Sequence, residues 1–195
     1  MQNPDNQIAT DKVWHELAFG LESLGIEKNE IRARVSEMAS FFGIENWFYK
    51  NVTELSGGQK QLLNLASVMV MSPSVLILDE PTSQLDPIAA TDFLQTLGRI
   101  NRELGTTILI CEHRLEDVIP MANRLIVMDR GAVIADDTPV HSFEILRKTD
   151  HPMLLSMPIL FAMYGAMRYM ANEQLVQQTF DLLLGNEVVF EPFLW

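Results

Sequence analysis

An apolar run that ends in two carboxylates constrains the fold of this chain more than any other feature. Residues Val75–Leu78 are all aliphatic, and Asp79 and Glu80 follow them directly. Two further apolar runs have the length of strands: Thr107–Cys111 and Leu125–Met128. Near-continuous apolar runs of this length are typical of strands buried on both faces of a parallel sheet. The sequence therefore predicts an α/β fold built on a parallel sheet.

Helical patterns surround these runs. Apolar residues recur at helical spacing over Val13–Leu24 and Ile31–Phe42, and a longer helical pattern covers Pro87–Leu104. Ser56 and Gln59 have the S-x-x-Q spacing of a capping box, which predicts that a helix begins there. After Leu125–Met128, a turn at Arg130-Gly131, a short strand and a helix over 140–148 are expected.

The polar residues beside these elements indicate chemistry. Ligands of open α/β sheets bind beyond the carboxyl ends of the strands, where Asp79 and Glu80 emerge and where His113 follows Thr107–Cys111. Two glycines, Gly57 and Gly58, precede a helix N-terminus, which favours an anion and permits close backbone approach. The alternatives are a solvated acidic turn, a structural histidine and an ordinary helix cap.

Composition limits the function classes. The 195 residues, 48% of them hydrophobic, fit one globular domain, and a net charge of -12 without any Lys or Arg cluster argues against direct nucleic-acid binding. The single cysteine, Cys111, predicts no disulfide and a reducing compartment. No secretory signal opens the chain, and the apolar stretch Met153–Met167 is too interrupted to span a membrane.

Taken together, the segments Leu55–Gln59 and Val75–Thr82 resemble the signature and Walker B motifs of the ATPase cassette of ATP-binding cassette (ABC) transporters. Three further segments resemble family motifs and occur in family order: Gln2–Ile8 (Q-loop), Ser83–Pro87 (D-loop) and Glu112–Val118 (switch-histidine loop). The wording of the first and last of these segments, with Ala18–Glu22 between them, is similar to energy-coupling factor (ECF) transporter ATPases, which drive vitamin and metal-ion uptake.

The resemblance implies a fold and a domain division. The fold is a partial P-loop NTPase (RecA-like) parallel sheet with an inserted ABC helical subdomain. Residues 1–140 would form the partial ATPase domain, with the helical subdomain at about 10–72 and the Walker B and switch core at about 73–140. Residues 141–195 would form a C-terminal helical extension or linker.

The resemblance also assigns roles around one ATP molecule. Glu80 would be the general base that deprotonates the attacking water, and His113 would bond the γ-phosphate. Asp79 would hold Mg²⁺ through water, and Gln2 would be a second magnesium ligand. For Gln2, a frayed terminus is the alternative.

A second set of residues would serve the ATP bound by an opposite cassette. In this family two cassettes enclose ATP head to tail, so the signature residues contact the γ-phosphate of the other subunit: Ser56, Gly57, Gly58 and Gln59. Asp86 would contact the opposite cassette, with an exposed turn before Pro87 as its alternative.

The family's phosphate loop, G-x-x-x-x-G-K-[ST] (Walker A), does not occur in the 195 residues. We expect that the chain is truncated at its N-terminal side and lacks the segment that carries this motif. If about four hydrogen bonds to charged phosphate are lost, the deficit is roughly 6–12 kcal/mol, against about 8 kcal/mol for micromolar binding. The chain alone is therefore expected to bind ATP poorly and to hydrolyse none.

The resulting hypothesis is an ATP-hydrolysing subunit, or a fragment of one, of an ECF-type importer of a vitamin or metal ion. Its partners would be a second ATPase subunit or domain and a transmembrane subunit, which holds it on the cytoplasmic face of the membrane. The helix of Trp14, Leu17 and Leu21 would either receive that subunit or pack in the core. One alternative stays open, a noncatalytic module that lends only its signature loop. A soluble ABC protein of DNA repair or translation is disfavoured by the acidic net charge and the ECF-like wording.

Overall fold

Three helices form the N-terminal part of the computed structural model, which describes residues 8–157. They are α1 (Val13–Ser23), α2 (Lys28–Phe42) and α3 (Gly57–Met69), and α1 packs against both others. The predicted apolar faces are buried, with Leu17 and Leu21 of α1 and Val35 of α2 in the core. Burial of these faces confirms the helices that the 3.6-residue spacing predicts.

A parallel pair of strands follows the helices. Strands β1 (Val75–Asp79) and β2 (Thr107–Cys111) are joined by α4 (Pro87–Leu104), and the register sets Asp79 opposite Cys111. Parallel strands need a crossover connection, and α4 supplies it. The sequence predictions of two parallel strands and an intervening helix are confirmed.

The strand pair is covered on one face only within residues 8–157. Leu76 and Leu78 are buried, whereas Val75 and Ile77 are 56% and 70% exposed. On β2, Leu109 is also exposed. Successive side chains of a strand point to opposite faces, so the described residues cover the face that carries Leu76 and Leu78. The prediction that these strands are buried on both faces is therefore wrong for the described part of the chain.

The third apolar run forms a hairpin. After the short helix α5 (Leu115–Val118), strand β3 (Leu125–Asp129) pairs antiparallel with β4 (Ala132–Asp137). Arg130 and Gly131 both have positive φ, 48° and 79°, as a two-residue hairpin turn of type I′ requires. The predicted turn and strand are confirmed, but within residues 8–157 β3 pairs only with β4 and is not the third parallel strand that its composition suggested.

Helix α6 (Pro139–Lys148) packs on this hairpin. Val127, Ala135 and Leu146 form the buried cluster between them. The Thr138 amide, and then the His141 ring, hold the pKa of Asp137 below its usual value at the start of α6. The predicted helix over 140–148 is confirmed.

The chain divides into two compact units between His113 and Arg114. The strands β1 and β2 belong to the first unit, and the hairpin with α6 belongs to the second. The predicted division at residue 140 stays a prediction, and of the predicted extension 141–195 the part beyond residue 157 lies outside the described residues. No helix within residues 8–157 has the length and apolar character to cross a membrane.

Candidate functional site

Two carboxylates leave the sheet at the end of β1. Asp79 is the last residue of the strand, and the Glu80 amide donates a hydrogen bond of 2.9 Å to the carbonyl of Cys111 on β2. Partial desolvation raises the pKa of the Cys111 thiol, and the nearby carboxylates of Asp79 and Glu80 raise it further. The structure therefore places both acids at the carboxyl edge of the parallel pair, where the sequence predicts them.

Glu80 has an unusual backbone conformation. Its φ is 44°, in the left-handed region that residues with a side chain rarely adopt. Such a conformation costs about 1–3 kcal/mol and persists only where the surroundings impose it. Here the amide of Glu80 is bound to Cys111, and the carbonyl of Glu80 accepts a hydrogen bond from the Ser83 amide at 3.2 Å. Backbone strain of this kind is typical of catalytic and ligand-binding positions.

His113 contacts Glu80 directly. The distance from Nε2 of His113 to Oε1 of Glu80 is 2.8 Å, although the two residues lie on different strand ends. The His113 side chain is 82% exposed and that of Glu80 is 30% exposed. The structure thus brings two of the predicted site residues together on an accessible edge of the sheet.

The turn after Glu80 is held by two residues that the sequence reasoning missed. The buried side chain of Gln61, on α3, donates from Nε2 to the carbonyl of Pro81 at 3.0 Å. The Glu112 carboxylate accepts hydrogen bonds from the amide and the hydroxyl of Thr82. Gln61 lies four positions before Leu65 and therefore on the same apolar face of the helix, which is a sequence signal for a buried polar side chain. Glu112 opens the segment that resembles the switch-histidine loop, but the sequence reasoning gave it no role of its own.

The signature residues form the predicted capping box. The Gln59 amide donates to Oγ of Ser56 at 3.3 Å, and the Ser56 amide donates to Oε1 of Gln59 at 3.0 Å. Helix α3 begins at Gly57, as the spacing predicts. The side-chain hydrogen bonds of Ser56 and Gln59 run within the box, so this group is a cluster separate from the Glu80–His113 pair.

The two glycines differ in what surrounds them. A Cβ added to Gly58 would lie 3.1 Å from Cβ of Ala89 on α4, so packing of α3 on α4 explains this glycine. A Cβ added to Gly57 would meet nothing within 4 Å. Gly57 is exposed, and it stands at a helix end whose first amides lack partners within the helix. Internal packing therefore accounts for Gly58 but gives no reason for Gly57.

Asp86 caps α4. Its Oδ1 accepts hydrogen bonds from the amides of Ile88 and Ala89, both at 3.0 Å. The cap is a sufficient structural reason for an aspartate before Pro87. Its predicted contact with an opposite cassette stays a prediction.

Replacing Asp86 with alanine is expected to lower the free energy of unfolding by about 0.5–2 kcal/mol, because two amides of α4 lose their acceptor. Asp86→Asn keeps the acceptor oxygen and is expected to keep most of this stability. Urea unfolding of the three proteins measures the difference. Equal destabilisation by both substitutions would contradict the capping role.

Comparisons with known proteins agree with this geometry. The model of the ABC transporter family matches residues 3–83, which include the capping box and both carboxylates. A putative ABC transporter ATP-binding protein of Bacillus anthracis is 43% identical over 195 residues, covering 99% of this chain and 35% of the relative. The chain belongs to the family of ABC transporter ATP-binding proteins.

Two further similarities concern a transporter ATP-binding protein and a component of an ABC transporter complex. The energy-coupling factor transporter ATP-binding protein EcfA1 of Caldanaerobacter subterraneus subsp. tengcongensis is 43% identical over 152 residues, which cover 75% of this chain and 54% of EcfA1. The structure of CbiO1 from Clostridium perfringens, part of the ABC transporter complex cbiONQ, matches with a TM-score of 0.68 and 37% identity. That match covers 78% of this chain and 62% of CbiO1, and it confirms the predicted fold class.

This ABC chain spans about a third of the length of the Bacillus anthracis relative, 35%, and about half of EcfA1, 54%. Among the described residues, no group of three or more His, Cys, Asp or Glu side chains is placed to enclose a metal ion. Magnesium in nucleotide sites is usually held by one or two carboxylates together with substrate phosphates. Asp79 fits that mode, and the predicted second ligand, Gln2, lies outside the described residues.

Proposed function

We propose that this chain is part of the ATP-hydrolysing subunit of an ECF-type importer, which couples ATP hydrolysis to uptake of a vitamin or metal ion. The contact between Glu80 and His113 at the edge of the parallel strands carries the proposal. It is supported by the similarity to EcfA1, whose name describes an energy-coupling factor transporter ATP-binding protein. The similarity to CbiO1 supports it as well.

In this proposal the site acts on water and the terminal phosphate of ATP. The Glu80 carboxylate accepts the proton of the attacking water, and His113 orients the carboxylate through the 2.8 Å contact while its exposed ring bonds the γ-phosphate. Asp79 would hold Mg²⁺. The ion neutralises part of the phosphate charge when it is bound. The left-handed backbone of Glu80 fixes the direction from which its carboxylate reaches the water.

The signature group serves a second ATP molecule, bound by an opposite cassette. The first amides of α3 point out of the helix end, and the open space around Gly57 lets a phosphate approach the backbone. Ser56 and Gln59 fix this end of the helix through the capping box. A head-to-tail pair of cassettes would then build each site from both subunits.

A transmembrane partner would dock on the helical region and hold the protein at the cytoplasmic face of the membrane. Of the helix residues considered for this surface, Leu17 and Leu21 are buried and belong to the core. Trp14 and Phe19 are 40% and 44% exposed on α1. These two aromatic side chains are the part of α1 that we assign to the partner.

ATP turnover tests the proposal. The assay uses the chain joined at its N-terminus to a segment with a G-x-x-x-x-G-K-[ST] loop, here termed the loop-completed chain. We expect phosphate release that depends on Mg²⁺ and is lost when the loop lysine is replaced, and no turnover by the 195 residues alone. A folded loop-completed chain without turnover would contradict the proposal and favour the noncatalytic module that lends only its signature loop.

A further inference from the structure

One carboxylate joins the two strand ends that carry the proposed catalytic residues. Oε1 of Glu112 accepts hydrogen bonds from the amide of Thr82 at 2.9 Å and from its hydroxyl at 2.5 Å. Oε2 of Glu112 accepts a hydrogen bond from the amide of His113 at 3.1 Å. A single side chain thus uses both oxygens to bind two separate segments.

These bonds close a ring around the site. Thr82 lies two residues after Glu80 and is only 1% exposed, so its backbone is fixed in the interior. His113 follows Glu112 directly, and its ring returns to the Glu80 carboxylate at 2.8 Å. Each bond of Glu112 therefore restrains one of the two residues that meet in the Glu80–His113 contact.

The proposed chemistry gives the restraint a purpose. Glu80 stands in a left-handed conformation that its surroundings must impose, and His113 is too exposed to be held by packing. Without Glu112, the turn after β1 and the segment after β2 would still be joined by the bond from the Glu80 amide to Cys111. That bond fixes the strand ends but does not fix the direction of either side chain.

We propose that Glu112 is a positioning residue that sets the contact between Glu80 and His113. The proposal rests on the function assigned above to those two residues. Glu112 acts through the backbone of Thr82 and His113, since its oxygens are already occupied by their three donors.

Two substitutions separate geometry from charge. Glu112→Gln keeps the shape but can offer an acceptor to only one of the two segments, because its other end is a donor. Glu112→Asp keeps the charge but is one methylene shorter and cannot span both segments. Glu37→Gln, at an exposed position of α2, is the control for a lost surface charge. Circular dichroism and thermal unfolding verify that each variant folds.

The first measurement uses the 195-residue chain and needs no ATP. In the unchanged chain we expect nuclear Overhauser contacts between the His113 ring and the Glu80 side chain, and slow amide exchange at Thr82 and His113. Both Glu112 variants are expected to lose the Overhauser contacts and to exchange the His113 amide at least about tenfold faster. The Glu37 variant should match the unchanged chain.

The second measurement is the turnover of the loop-completed chain. The Glu112 variants should misplace Glu80 and His113 without removing a contact to the nucleotide. We therefore expect kcat to fall by about 10- to 100-fold and KM for ATP to stay within about twofold. If Glu112→Asp behaves like the unchanged protein in both measurements, Glu112 acts through charge and the proposal is overturned. Unaltered Overhauser contacts in both variants overturn it too, even when kcat falls.

The two readouts distinguish this proposal from the proposed function. If the loop-completed chain lacks turnover altogether, the function fails, whereas the Overhauser contacts and amide exchange still decide whether Glu112 sets the geometry. If turnover is normal in both Glu112 variants while the contacts are lost, Glu112 sets the contact but turnover does not depend on it; the positioning role in catalysis is then overturned, whereas ATP hydrolysis by the loop-completed chain stands.

Discussion

Replacing Glu80 with glutamine is expected to reduce ATP turnover of the loop-completed chain by about 10²- to 10⁴-fold, the usual contribution of general acid–base catalysis. The amide cannot accept the proton of the attacking water, although it preserves the size of the side chain. It also keeps an oxygen that can accept a hydrogen bond from His113. Steady-state phosphate release with saturating Mg²⁺ and ATP measures the effect.

The control for this prediction is nucleotide binding. Because glutamine preserves the shape and the contact with His113, ATP affinity should change little, and the protein should accumulate in its ATP-bound form. Glu37→Gln on exposed α2 should leave both affinity and turnover unchanged. Turnover that survives in Glu80→Gln would remove Glu80 from the role of base and leave the 2.8 Å contact with His113 as a structural hydrogen bond.

The glycines at the start of α3 should respond in opposite ways to alanine. In Gly57→Ala the new methyl group enters open space, so the free energy of unfolding should stay the same or rise by up to about 1 kcal/mol. In Gly58→Ala the new methyl group meets Ala89 of α4 at 3.1 Å, which should lower stability by about 1–3 kcal/mol. Urea unfolding of the two variants measures both changes.

The Gly57→Ala substitution should lower turnover even though it does not lower stability. The added methyl group lies where a phosphate must approach the helix end, and loss of even one hydrogen bond to a charged group corresponds to about 1.5–3 kcal/mol, or roughly 10- to 150-fold. The composite site would be supported if the Gly57→Ala protein is stable and has reduced turnover. Mixing it with an excess of a partner cassette whose signature is unchanged should then restore turnover. Normal turnover of Gly57→Ala would contradict the assignment of this glycine to phosphate.

Periodicity predicted the elements of this chain because their boundaries are local. Helix α4 begins at Pro87, just after the capping Asp86, and it ends before Gly105, which has φ of 68° and stops the helix. The capping box of Ser56 and Gln59 is equally local, since both of its bonds span three residues. Predictions that depend on such short-range geometry were confirmed.

Predictions that depend on what lies across a strand were less successful. The composition of Leu125–Met128 matches a buried parallel strand, yet the turn at Arg130-Gly131 folds the next residues back as an antiparallel partner. The apolar side chains of Val75 and Ile77 look like core residues, and their exposure becomes visible only in the folded chain. A hydrophobic pattern shows that a strand can be buried. Which strand it pairs with, and whether other elements cover its faces, depend on the tertiary structure.

The sequence predicted the place of Glu80 and His113 at the sheet edge but not the hydrogen bonds that hold them there. That Glu80 and His113 lie at one edge follows from strand direction, and the structure brings them into contact. The left-handed backbone of Glu80 is held by a hydrogen bond to Cys111 on the other strand, and the hydrogen bonds from Thr82 to Glu112 join residues 30 positions apart. Contacts of that range leave no repeating signal in a single sequence.

If the proposed function holds, the hydrogen bond from Gln61 to Pro81 makes α3 a shared part of two reaction centres. In the proposed function the same helix would present Gly57 to the nucleotide of a neighbouring subunit, and its Gln61 holds the backbone beside the chain's own Glu80. Displacement of its N-terminus by one ATP would therefore be felt at the carboxylate that attends the other. In a pair of such subunits, the two hydrolysis events would then be thermodynamically coupled, so that the occupancy of one centre alters the rate at its counterpart.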